Sequence, residues 1–418
     1  MEHKRVFNTG SYVREFFMIK RIAIIGAGLA GCSLAYELSK SASFDITIFD
    51  KNSEMAGEAS GNFAGILAPY LTFDNNFSDQ FHTLGYRLLI DFINQYKNNV
   101  EICNQGVIQL LSDPKEQCRY QKIFINRDID PNIAKLLSAT QVSQLINTTT
   151  SKRAVYYPNA LALVPKSICQ LWLKLSDVEL KLGNQLLNIH RTENNTWQLE
   201  FNNFKENFDI VIFAGGYPLF KQIVQLQKIP VYPSQGQLTV IEKSFDIKKT
   251  IMDKGYIIPN YKQNLQVIGA TFRDNGDTNA DIREEDNNFN ITQIKQMLDN
   301  SSILGINIVD SRVATRCVTS DHLPLVGKLV DYAKFEQDFY KPLSKGYPKA
   351  KMPRLEYQQD LYVSSGFGSK GLCSSLLAAK IIAAQITNQK LPHCDKLLAA
   401  LAIERFWIRG FKKGIKFL

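Results

Sequence analysis

The chain has 418 residues, of which 45% are hydrophobic and 21% are charged. This balance excludes a disordered or fibrous protein and indicates a globular one with room for two domains. The longest apolar run, 372–386, contains Lys380 and is too short to cross a bilayer, so we expect no membrane partner. A formal net charge of +9 is compatible with a polyanionic partner but does not establish one.

The cysteines and histidines argue against disulfide and metal frameworks. The seven cysteines are scattered and form no C-x-x-C pair. This usage is typical of a reducing cytoplasm, and it offers no zinc-ligand spacing. The five histidines are dispersed as well. We therefore expect a cytoplasmic protein without a metal centre.

Residues 21–32, RIAIIGAGLAGC, have two interpretations. A short basic start, an apolar run and the segment 29–32 match a lipoprotein signal, in which Cys32 would be the lipid anchor. Alternatively, a buried strand at 22–25 leads into the G-x-G-x-x-G turn that opens a dinucleotide-binding helix.

The residues after this turn favour the nucleotide site. Leu34 and Leu38 keep a helical spacing, a second strand follows at 44–49, and Asp50 ends that strand 19 residues after Gly31. A carboxylate at this place can accept the ribose hydroxyls of an adenine dinucleotide, while the glycines let the backbone approach the pyrophosphate. A lipoprotein signal needs none of this spacing. Cys32 is then expected to be a small, buried helix residue.

Three later segments narrow the cofactor to FAD. The loop at 57–69 is rich in small residues, as close passage beneath a ring system requires, and the segment 209–218 is a strand ending in a glycine pair. Residues 361–386 read as a strand, a glycine loop and an apolar helix whose N-terminus suits the electron-rich edge of a reduced flavin. FAD enzymes of the glutathione-reductase-like type need this second glycine loop, and NAD enzymes do not.

Five segments carry a family signature. They are ASGNFAGILAPYLT (59–72), IGATFRDNGDTNADIREED (268–286), RVATRCVTSDHLPLVG (312–327), SSGFGSKGL (364–372) and RFWIRGFKKG (405–414). Together they resemble the D-amino-acid-oxidase-like flavoenzymes, and within them the FAD-dependent oxidoreductase half of the MnmC family of tRNA-modifying enzymes. The resemblance covers about residues 20–418. The first and fourth segments occur in many amine oxidases, whereas REED, TRCVTSDHLPLVG and the C-terminal segment point to the MnmC family.

The sequence departs from this family in three places. Only 17 residues precede Met18, where the family carries a methyltransferase domain. We expect 1–17 to be a linker or an overcalled start, and we infer only the oxidative step. Lys370 replaces a common arginine and keeps the charge without the planar fork. Phe63 replaces a polar residue that is common in the Ser-Gly-Asn loop.

The resemblance implies an α/β fold with two interleaved domains. The first is a Rossmann-like, glutathione-reductase-like FAD-binding domain, and the second is an α+β substrate domain with a mixed or antiparallel sheet. The FAD-binding domain is expected to comprise 18–80, 155–225, 311–332 and 358–395. The substrate domain is expected to comprise 81–154 and 226–310. The remaining segments are expected to be a basic surface loop at 333–357 and a basic, aromatic C-terminal tail at 396–418.

The motifs and the resemblance also specify site residues. Those expected to bind FAD are Gly26, Gly28, Gly31, Asp50, Ser60, Gly61, Asn62, Gly65, Leu186, Ala214, Gly215, Gly366, Gly368, Ser369, Lys370, Gly371 and Leu372. Arg316 is the candidate for a substrate carboxylate, because a guanidinium binds carboxylate in bidentate fashion and related amine oxidases keep an arginine there. A structural salt bridge is its alternative role. Tyr256 is expected to close the substrate pocket, with an ordinary packed tyrosine as the alternative.

The reaction implied by the resemblance is oxidation of 5-carboxymethylaminomethyl-(2-thio)uridine at the wobble position of tRNA. Hydride transfer to FAD and hydrolysis of the imine would leave 5-aminomethyl-(2-thio)uridine and glyoxylate. We assign no catalytic general base, since an amine that binds neutral requires none. A separate methyltransferase is the expected partner that acts on the product.

Two basic stretches are candidate tRNA contacts. The segment 341–354 contains no acid, and the tail from Arg405 mixes basic with aromatic residues, as backbone contact and base stacking require. The expected contacts are Lys341, Lys345, Lys349, Lys351, Arg405, Arg409, Lys412 and Lys413. The alternatives are a solvated loop and a C-terminal helix packed through its aromatic residues.

Two other functions stay open on the sequence. A small-molecule amine oxidase or dehydrogenase, acting on glycine, sarcosine or a D-amino acid, would carry the same FAD motifs. A non-catalytic, flavin-carrying RNA-binding module is disfavoured by Arg316 and the intact glycine loops. The REED block and the basic tail favour the tRNA-modifying enzyme over the small-molecule oxidase.

Overall fold

The computed structural model describes residues 19–147, 149–273, 281–298, 305–390 and 395–417. The expectation for 1–17 therefore lies outside the described residues, as does the middle of the 268–286 motif. Within the described ranges, no helix is both long enough and apolar enough to cross a bilayer.

Strands and helices alternate along the chain. The strands are β1 Lys20–Ile25, β2 Phe44–Phe49, β3 Gly65–Leu67, β4 Ile102–Leu110, β5 Lys135–Leu137, β6 Ala154–Leu163, β7 Glu179–Lys181, β8 Leu186–Arg191, β9 Trp197–Phe201, β10 Lys205–Phe208, β11 Ile210–Phe213, β12 Val231–Glu242, β13 Thr250–Met252, β14 Tyr256–Lys262, β15 Leu265–Gly269, β16 Ile308–Thr319, β17 Leu325–Lys328 and β18 Leu361–Ser365. The helices are α1 Leu29–Leu38, α2 Phe77–Gln95, α3 Pro114–Asn126, α4 Ala139–Ile146, α5 Pro165–Lys174, α6 Tyr217–Gln222, α7 Glu284–Met297, α8 Tyr332–Ser344, α9 Gly371–Ile386, α10 Asp395–Leu401 and α11 Arg405–Phe411.

The first layer is a mostly parallel sheet in the order β17-β18-β11-β1-β2-β7. Its central strands are buried on both faces, which explains their near-continuous apolar sequences. Ile22 and Ile24 face helices α1 and α9, whereas the next residues face a three-stranded sheet of β8, β9 and β10. Phe49 stacks on Phe201 of that small sheet at 4.3 Å between ring centres. This arrangement confirms the predicted α/β, Rossmann-like layer.

The second layer is a mixed sheet in the order β16-β12-β15-β14-β13-β4-β6-β3, with β5 paired to β6. Most of its neighbours are antiparallel, and β4 and β13 are parallel. Three strands need reassignment here. The strands β3, β6 and β16 were assigned to the FAD-binding domain, but β16 pairs with β12 over nearly its whole length, β6 pairs with β4, and β3 pairs with β6. All three strands therefore belong to the substrate sheet.

The segments expected to be a basic loop and a tail fold together. Helix α8, capped by the Asp331 side chain, occupies the start of 333–357, so this stretch is only partly a loop. Phe335 of α8 lies 5.5 Å from the ring of Trp407 and 5.6 Å from that of Phe411 in α11. The tail is thus the packed C-terminal helix that was the alternative, and its buried aromatic residues do not offer their faces to bases.

Candidate active site

A cavity of about 600 Å³ opens where the carboxyl ends of β1, β11 and β18 meet the substrate sheet. Gly26, Gly215 and Gly366 follow those three strands and line it. Tyr256 and Arg316, which come from the substrate sheet, line the same cavity. Ligands of open α/β sheets bind at this edge of the strands, so the fold places the site where its topology predicts.

The turn after β1 requires its glycines. Gly26 has φ +119°, and a Cβ there would lie 2.8 Å from the carbonyl oxygen of Ala214. A Cβ on Gly31 would lie 1.8 Å from the carbonyl oxygen of Gly26, so Gly31 sets how closely α1 packs on the turn. Cys32 is fully buried in α1, as the nucleotide-site interpretation predicted.

Asp50 is oriented by the same turn. One of its carboxylate oxygens accepts a hydrogen bond from the Ala27 backbone N–H at 2.7 Å. The other accepts from the backbone N–H and side-chain amide of Asn52, both at 2.9 Å. The carboxylate lines the cavity beside the glycine turn, where the ribose of a dinucleotide is expected.

The small-residue loop after β2 lies against the start of α1. The Ser60 hydroxyl oxygen accepts from the Leu29 backbone N–H at 3.0 Å. A Cβ on Gly28 would come within 2.8 Å of that oxygen. The side-chain oxygen of Asn62 is buried at the cavity wall and has no hydrogen-bond partner among the described residues. The loop therefore presents a polar atom that a bound cofactor could satisfy.

The glycine loop before α9 forms the facing wall. Gly366 and Gly368 have φ +73° and +53°, backbone conformations that residues with a side chain rarely adopt. A Cβ on Gly371 would lie 3.3 Å from Leu29, so the N-termini of α1 and α9 adjoin. Neither N-cap residue, Gly28 of α1 or Lys370 of α9, caps its helix through a side chain, although the Ser60 hydroxyl accepts from the first N–H of α1. The cavity is thus faced by two positive helix ends with backbone N–H groups available for acceptors.

The structure separates the predicted cofactor residues into two groups. Fourteen line the cavity: Gly26, Gly28, Asp50, Ser60, Asn62, Gly65, Ala214, Gly215, Gly366, Gly368, Ser369, Lys370, Gly371 and Leu372. Gly31, Gly61 and Leu186 instead lie behind this wall. A Cβ on Gly61 would lie 2.2 Å from the Ala56 carbonyl oxygen, and Leu186 is buried in the core beneath the parallel sheet. Phe63 packs against Tyr261 at 5.8 Å between ring centres, also away from the cavity wall.

These residues fit FAD. The glycine turn leaves room for a pyrophosphate against the start of α1, and Asp50 is held where it can bind a ribose. The start of α9 and the unpartnered Asn62 oxygen supply donors and an acceptor for the polar edges of a flavin ring. Lys370 adds a positive charge to the same wall, with its ammonium nitrogen 5.0 Å from the centre of the Tyr70 ring.

The substrate end of the cavity contains the predicted pair and one residue that was not predicted. The Arg316 guanidinium lies 4.9 Å from the centre of the Phe272 ring. Burial raises the pKa of Tyr256 to about 12, and the nearby charge of Arg316 opposes this. Tyr256 therefore keeps its proton at neutral pH and can donate a hydrogen bond. The site thus offers a guanidinium and a hydroxyl to one carboxylate-bearing substrate.

Other wall residues were missed because no motif connects them. Arg119 comes from α3, Lys254 from the turn between β13 and β14, and Phe272 from the segment that follows β15. They meet only because the substrate sheet brings distant segments together. The one available signal was for Phe272, which lies inside the family segment 268–286.

The candidate tRNA contacts form one surface. Helices α8 and α11 pack side by side, and the Tyr340 hydroxyl donates to the Gly414 carbonyl at 3.3 Å. Exposed lysines from both predicted stretches therefore lie on adjoining segments. We call this the α8–α11 basic surface, comprising Lys341, Lys345, Lys349, Lys351, Lys412 and Lys413.

Arg405 is a correction to that prediction. Its side chain is buried and makes two hydrogen bonds to the Asp321 carboxylate, at 2.9 and 3.0 Å. It also donates to the Leu401, Ala402 and Leu323 carbonyls. Arg409 is more exposed but pairs with the same carboxylate at 2.6 Å. Arg405 is a structural residue, since its position and its bonds keep it from a phosphate.

A family model described as "DAO: FAD dependent oxidoreductase" matches residues 21–385. The chain belongs to this family. The match confirms the predicted cofactor, FAD, and the predicted class of enzyme, an oxidoreductase. The match begins at residue 21, and 21–32 form a strand, a turn and the start of a buried helix, which favours the nucleotide-site interpretation over the lipoprotein signal.

Similar proteins carry one shared name, "tRNA 5-methylaminomethyl-2-thiouridine biosynthesis bifunctional protein MnmC". The relative from Hydrogenovibrio crunogenus is 27% identical over 94% of this chain and 60% of its own length. Those from Shewanella halifaxensis and Campylobacter jejuni are each 28% identical, over 94% and 95% of this chain and 64% and 60% of their own lengths. The chain spans about three fifths of the relatives it matches.

Solved structures with the same fold include amine-oxidising enzymes. Glycine oxidase from Geobacillus kaustophilus superposes with a TM-score of 0.74 and 17% identity, over 92% of this chain and 99% of that one. Iminodiacetate oxidase from Chelativorans sp. BNC1 gives 0.71 and 17%, with the same coverage. L-proline dehydrogenase from P. horikoshii gives 0.72 and 15%, over 95% and 98%. At these identities the likeness concerns the fold alone.

Proposed function

We propose that the protein oxidises 5-carboxymethylaminomethyl-(2-thio)uridine at the wobble position of tRNA. Oxidation of the C–N bond on the carboxylate side gives an imine, and water splits it into 5-aminomethyl-(2-thio)uridine and glyoxylate. The carrying observation is that one cavity joins the glycine cradle to Arg316, in a chain whose relatives are named for tRNA modification.

The chain's own residues bind and orient the substrate. Arg316 pairs with the substrate carboxylate, and the protonated Tyr256 donates a hydrogen bond beside it. FAD, held by the two glycine loops and the starts of α1 and α9, supplies the hydride acceptor when bound. Because the flavin carries the redox chemistry, the protein's contribution is positioning, and no general base is assigned.

The α8–α11 basic surface is the proposed tRNA contact, since its lysines are exposed. Arg409 stays a weaker candidate because Asp321 already pairs with it. A tRNA substrate makes the cytoplasm the proposed location of the reaction. The primary amine of the product suits a following methyl transfer. The relatives' shared name describes a bifunctional protein, which favours a second activity on the same polypeptide over a separate methyltransferase partner.

The test is incubation with tRNA from cells that accumulate the carboxymethylaminomethyl nucleoside, followed by nucleoside mass spectrometry and a glyoxylate assay. We expect equal amounts of aminomethyl nucleoside and glyoxylate. Unchanged tRNA, from an enzyme that holds FAD and is reduced by glycine or sarcosine, would reject the proposal.

The second candidate is a small-molecule amine oxidase. Arg316 could bind the carboxylate of any amino acid, and fold neighbours include glycine oxidase and iminodiacetate oxidase. The same incubation separates the two, because a small-molecule oxidase is reduced by the free amine and leaves the tRNA unmodified.

A further inference from the structure

Phe272 is a large apolar side chain left open beside the reacting site. It is 61% exposed, yet it lines the same cavity as Tyr256 and Arg316. Its ring centre lies 4.9 Å from the guanidinium carbon of Arg316. Burial in the core does not account for a phenylalanine at this position, and aromatic side chains that line a cavity are typical of ligand sites.

The backbone around Phe272 is anchored on both sides. Thr271 donates to the Gln237 carbonyl at 3.3 Å, and its hydroxyl accepts from the Gln237 N–H at 2.9 Å. Arg273 donates to the Gln235 carbonyl at 2.8 Å, and its guanidinium forms an ion pair with Asp286. Thr271 and Arg273 are thus bonded to β12 or α7, and these bonds fix the backbone that carries the exposed Phe272 ring.

We propose that Phe272 is the platform on which the uracil ring of the substrate nucleotide stacks. This inference rests on the proposed function and names the group that recognises the base. In the proposed substrate, four single bonds separate ring carbon C5 from the carboxylate carbon, a span of about 5 Å. Because the Arg316 guanidinium lies over one face of the Phe272 ring, 4.9 Å from its centre, the base would stack on the other face of this 61% exposed ring. The arm would then pass the edge of the ring to bring the carboxylate to Arg316.

Stacking also suits the chemistry of this substrate. A π-face contact accepts uracil with oxygen or with sulfur at position 2, because it does not read the edge of the ring. A small amine without a base gains nothing from the platform. Phe272 would thus select a nucleotide over a free amino acid, while Arg316 serves both.

The experiment follows anaerobic flavin reduction in the FAD-loaded full chain. One substrate is an anticodon stem-loop with the carboxymethylaminomethyl nucleotide, and the other is N-ethylglycine, which has the same reacting arm without a base. For Phe272→Ala we expect the half-saturating stem-loop concentration to rise about 5- to 150-fold, the effect of losing one base–aromatic stack. For N-ethylglycine the rise should be clearly smaller, because that amine loses only the Phe272–Arg316 contact and no stacked base. The visible spectrum should be unchanged, and Phe272→Trp should retain stem-loop binding.

Phe289→Ala is the matched control, because Phe289 is a 49% exposed phenylalanine of α7 outside the cavity lining. It should behave as wild type with both substrates. If Phe272→Ala weakened the reaction with the stem-loop and with N-ethylglycine equally, Phe272 would act by covering the flavin and not by binding the base. If stem-loop binding were unchanged, the Phe272 ring would not contact the substrate. Either result would contradict the stacking role of Phe272 and leave the proposed function unaffected. A wild type that binds FAD and never reacts with the stem-loop would overturn the proposed function and this inference with it.

Discussion

The wall of the cofactor cavity and the α8–α11 region are stabilised by different kinds of contact. We call the two glycine loops that form this wall, at 26–31 and 366–371, the cofactor cradle. In the cradle, close contacts run between backbone atoms, as between Gly31 and the Gly26 carbonyl. In the α8–α11 region, buried aromatic rings pack inside and most charges of the described residues lie outside, with Glu404 and Arg405 as buried exceptions. A backbone contact forces glycine at fixed spacing, whereas a basic residue can serve solvent, a partner or a buried acid. The spacing of glycines therefore identifies a cofactor site from sequence, whereas a cluster of basic residues does not identify its own role.

The largest effect should come from a side chain in the cradle. Gly31→Val places its Cβ 1.8 Å from a backbone carbonyl oxygen, so α1 must move away from the turn. We expect loss of measurable FAD binding, followed by the absorbance of the purified protein and by titration with FAD. Gly216→Ala is the control, since a Cβ there meets only Pro218 at 4.0 Å and should leave the protein yellow. A yellow Gly31→Val protein with normal affinity would contradict this account of the turn.

A smaller but substantial loss is expected from the buried arginine. Arg405→Leu leaves the Asp321 carboxylate without its main partner and should lower the free energy of unfolding by about 3–5 kcal/mol. Arg409→Ala removes an exposed partner of the same carboxylate and should cost about 1 kcal/mol or less. Urea denaturation measures the free energy of unfolding of both variants. Equal small losses would contradict the structural role of Arg405 and make it a candidate tRNA contact again.

The same pair predicts a dependence on pH. Burial would raise the pKa of Asp321, but hydrogen bonds from Arg405 and Arg409 outweigh it and hold the pKa below its ordinary value of 3.8. A lowered folded-state pKa stabilises the fold above the unfolded-state value, and this stability is lost as pH falls through the folded-state pKa. The difference between wild type and Arg405→Leu should thus be full at neutral pH and shrink below about pH 3.8.

Arg316 should show a loss of turnover with an intact cradle. Arg316→Lys replaces a bidentate contact by a single ammonium, at a cost of about 1.5–3 kcal/mol, or about 10- to 150-fold in kcat/KM. The flavin spectrum and FAD affinity should be unchanged. Steady-state kinetics on carboxymethylaminomethyl-tRNA provide the measurement, and unaltered constants would assign the carboxylate to another residue.

The smallest effect is expected on the outer surface. Lys349→Ala with Lys351→Ala should weaken binding to all tRNAs alike and reduce the log–log salt slope by about 0.7–0.9 per lost phosphate contact. Lys174→Ala with Lys390→Ala removes the same charge from exposed lysines elsewhere and serves as the matched control. Filter binding at several salt concentrations distinguishes them. Identical slopes in the two double variants would remove the α8–α11 basic surface from the proposal.

The parallel layer could be predicted from sequence because its constraints are local. A buried strand, a tight turn and a helix follow one another within 21–38, and each fixes its own residue types. The same local constraints apply to Gly366, in the loop before α9, and to Gly371, the first residue of α9. Leu186 is a core position of the three-stranded sheet beneath this layer, and sequence cannot tell such a position from a direct cofactor contact.

The rest depends on distant partners. Sequence did not distinguish Arg405 from Lys412, because only the fold places Asp321 beside one and solvent beside the other. It misassigned β16 because the end of that strand lines the cavity while its length pairs along β12, and only the fold shows the second relation. Phe272 lies in the family segment 268–286, but that segment did not mark it as a site residue, because only the fold shows its distance to Arg316.

The strand order of the parallel sheet has a consequence for how the protein is made. β11 sits between β1 and β18, and β18 leaves the ribosome about 150 residues after β11. At about 5–20 residues per second, that edge stays unpaired for roughly 7–30 s of translation. The α9 wall of the cavity follows later still. Nascent chains should therefore acquire FAD only near the end of synthesis, and chaperones that shield open sheet edges should engage this protein before flavin does.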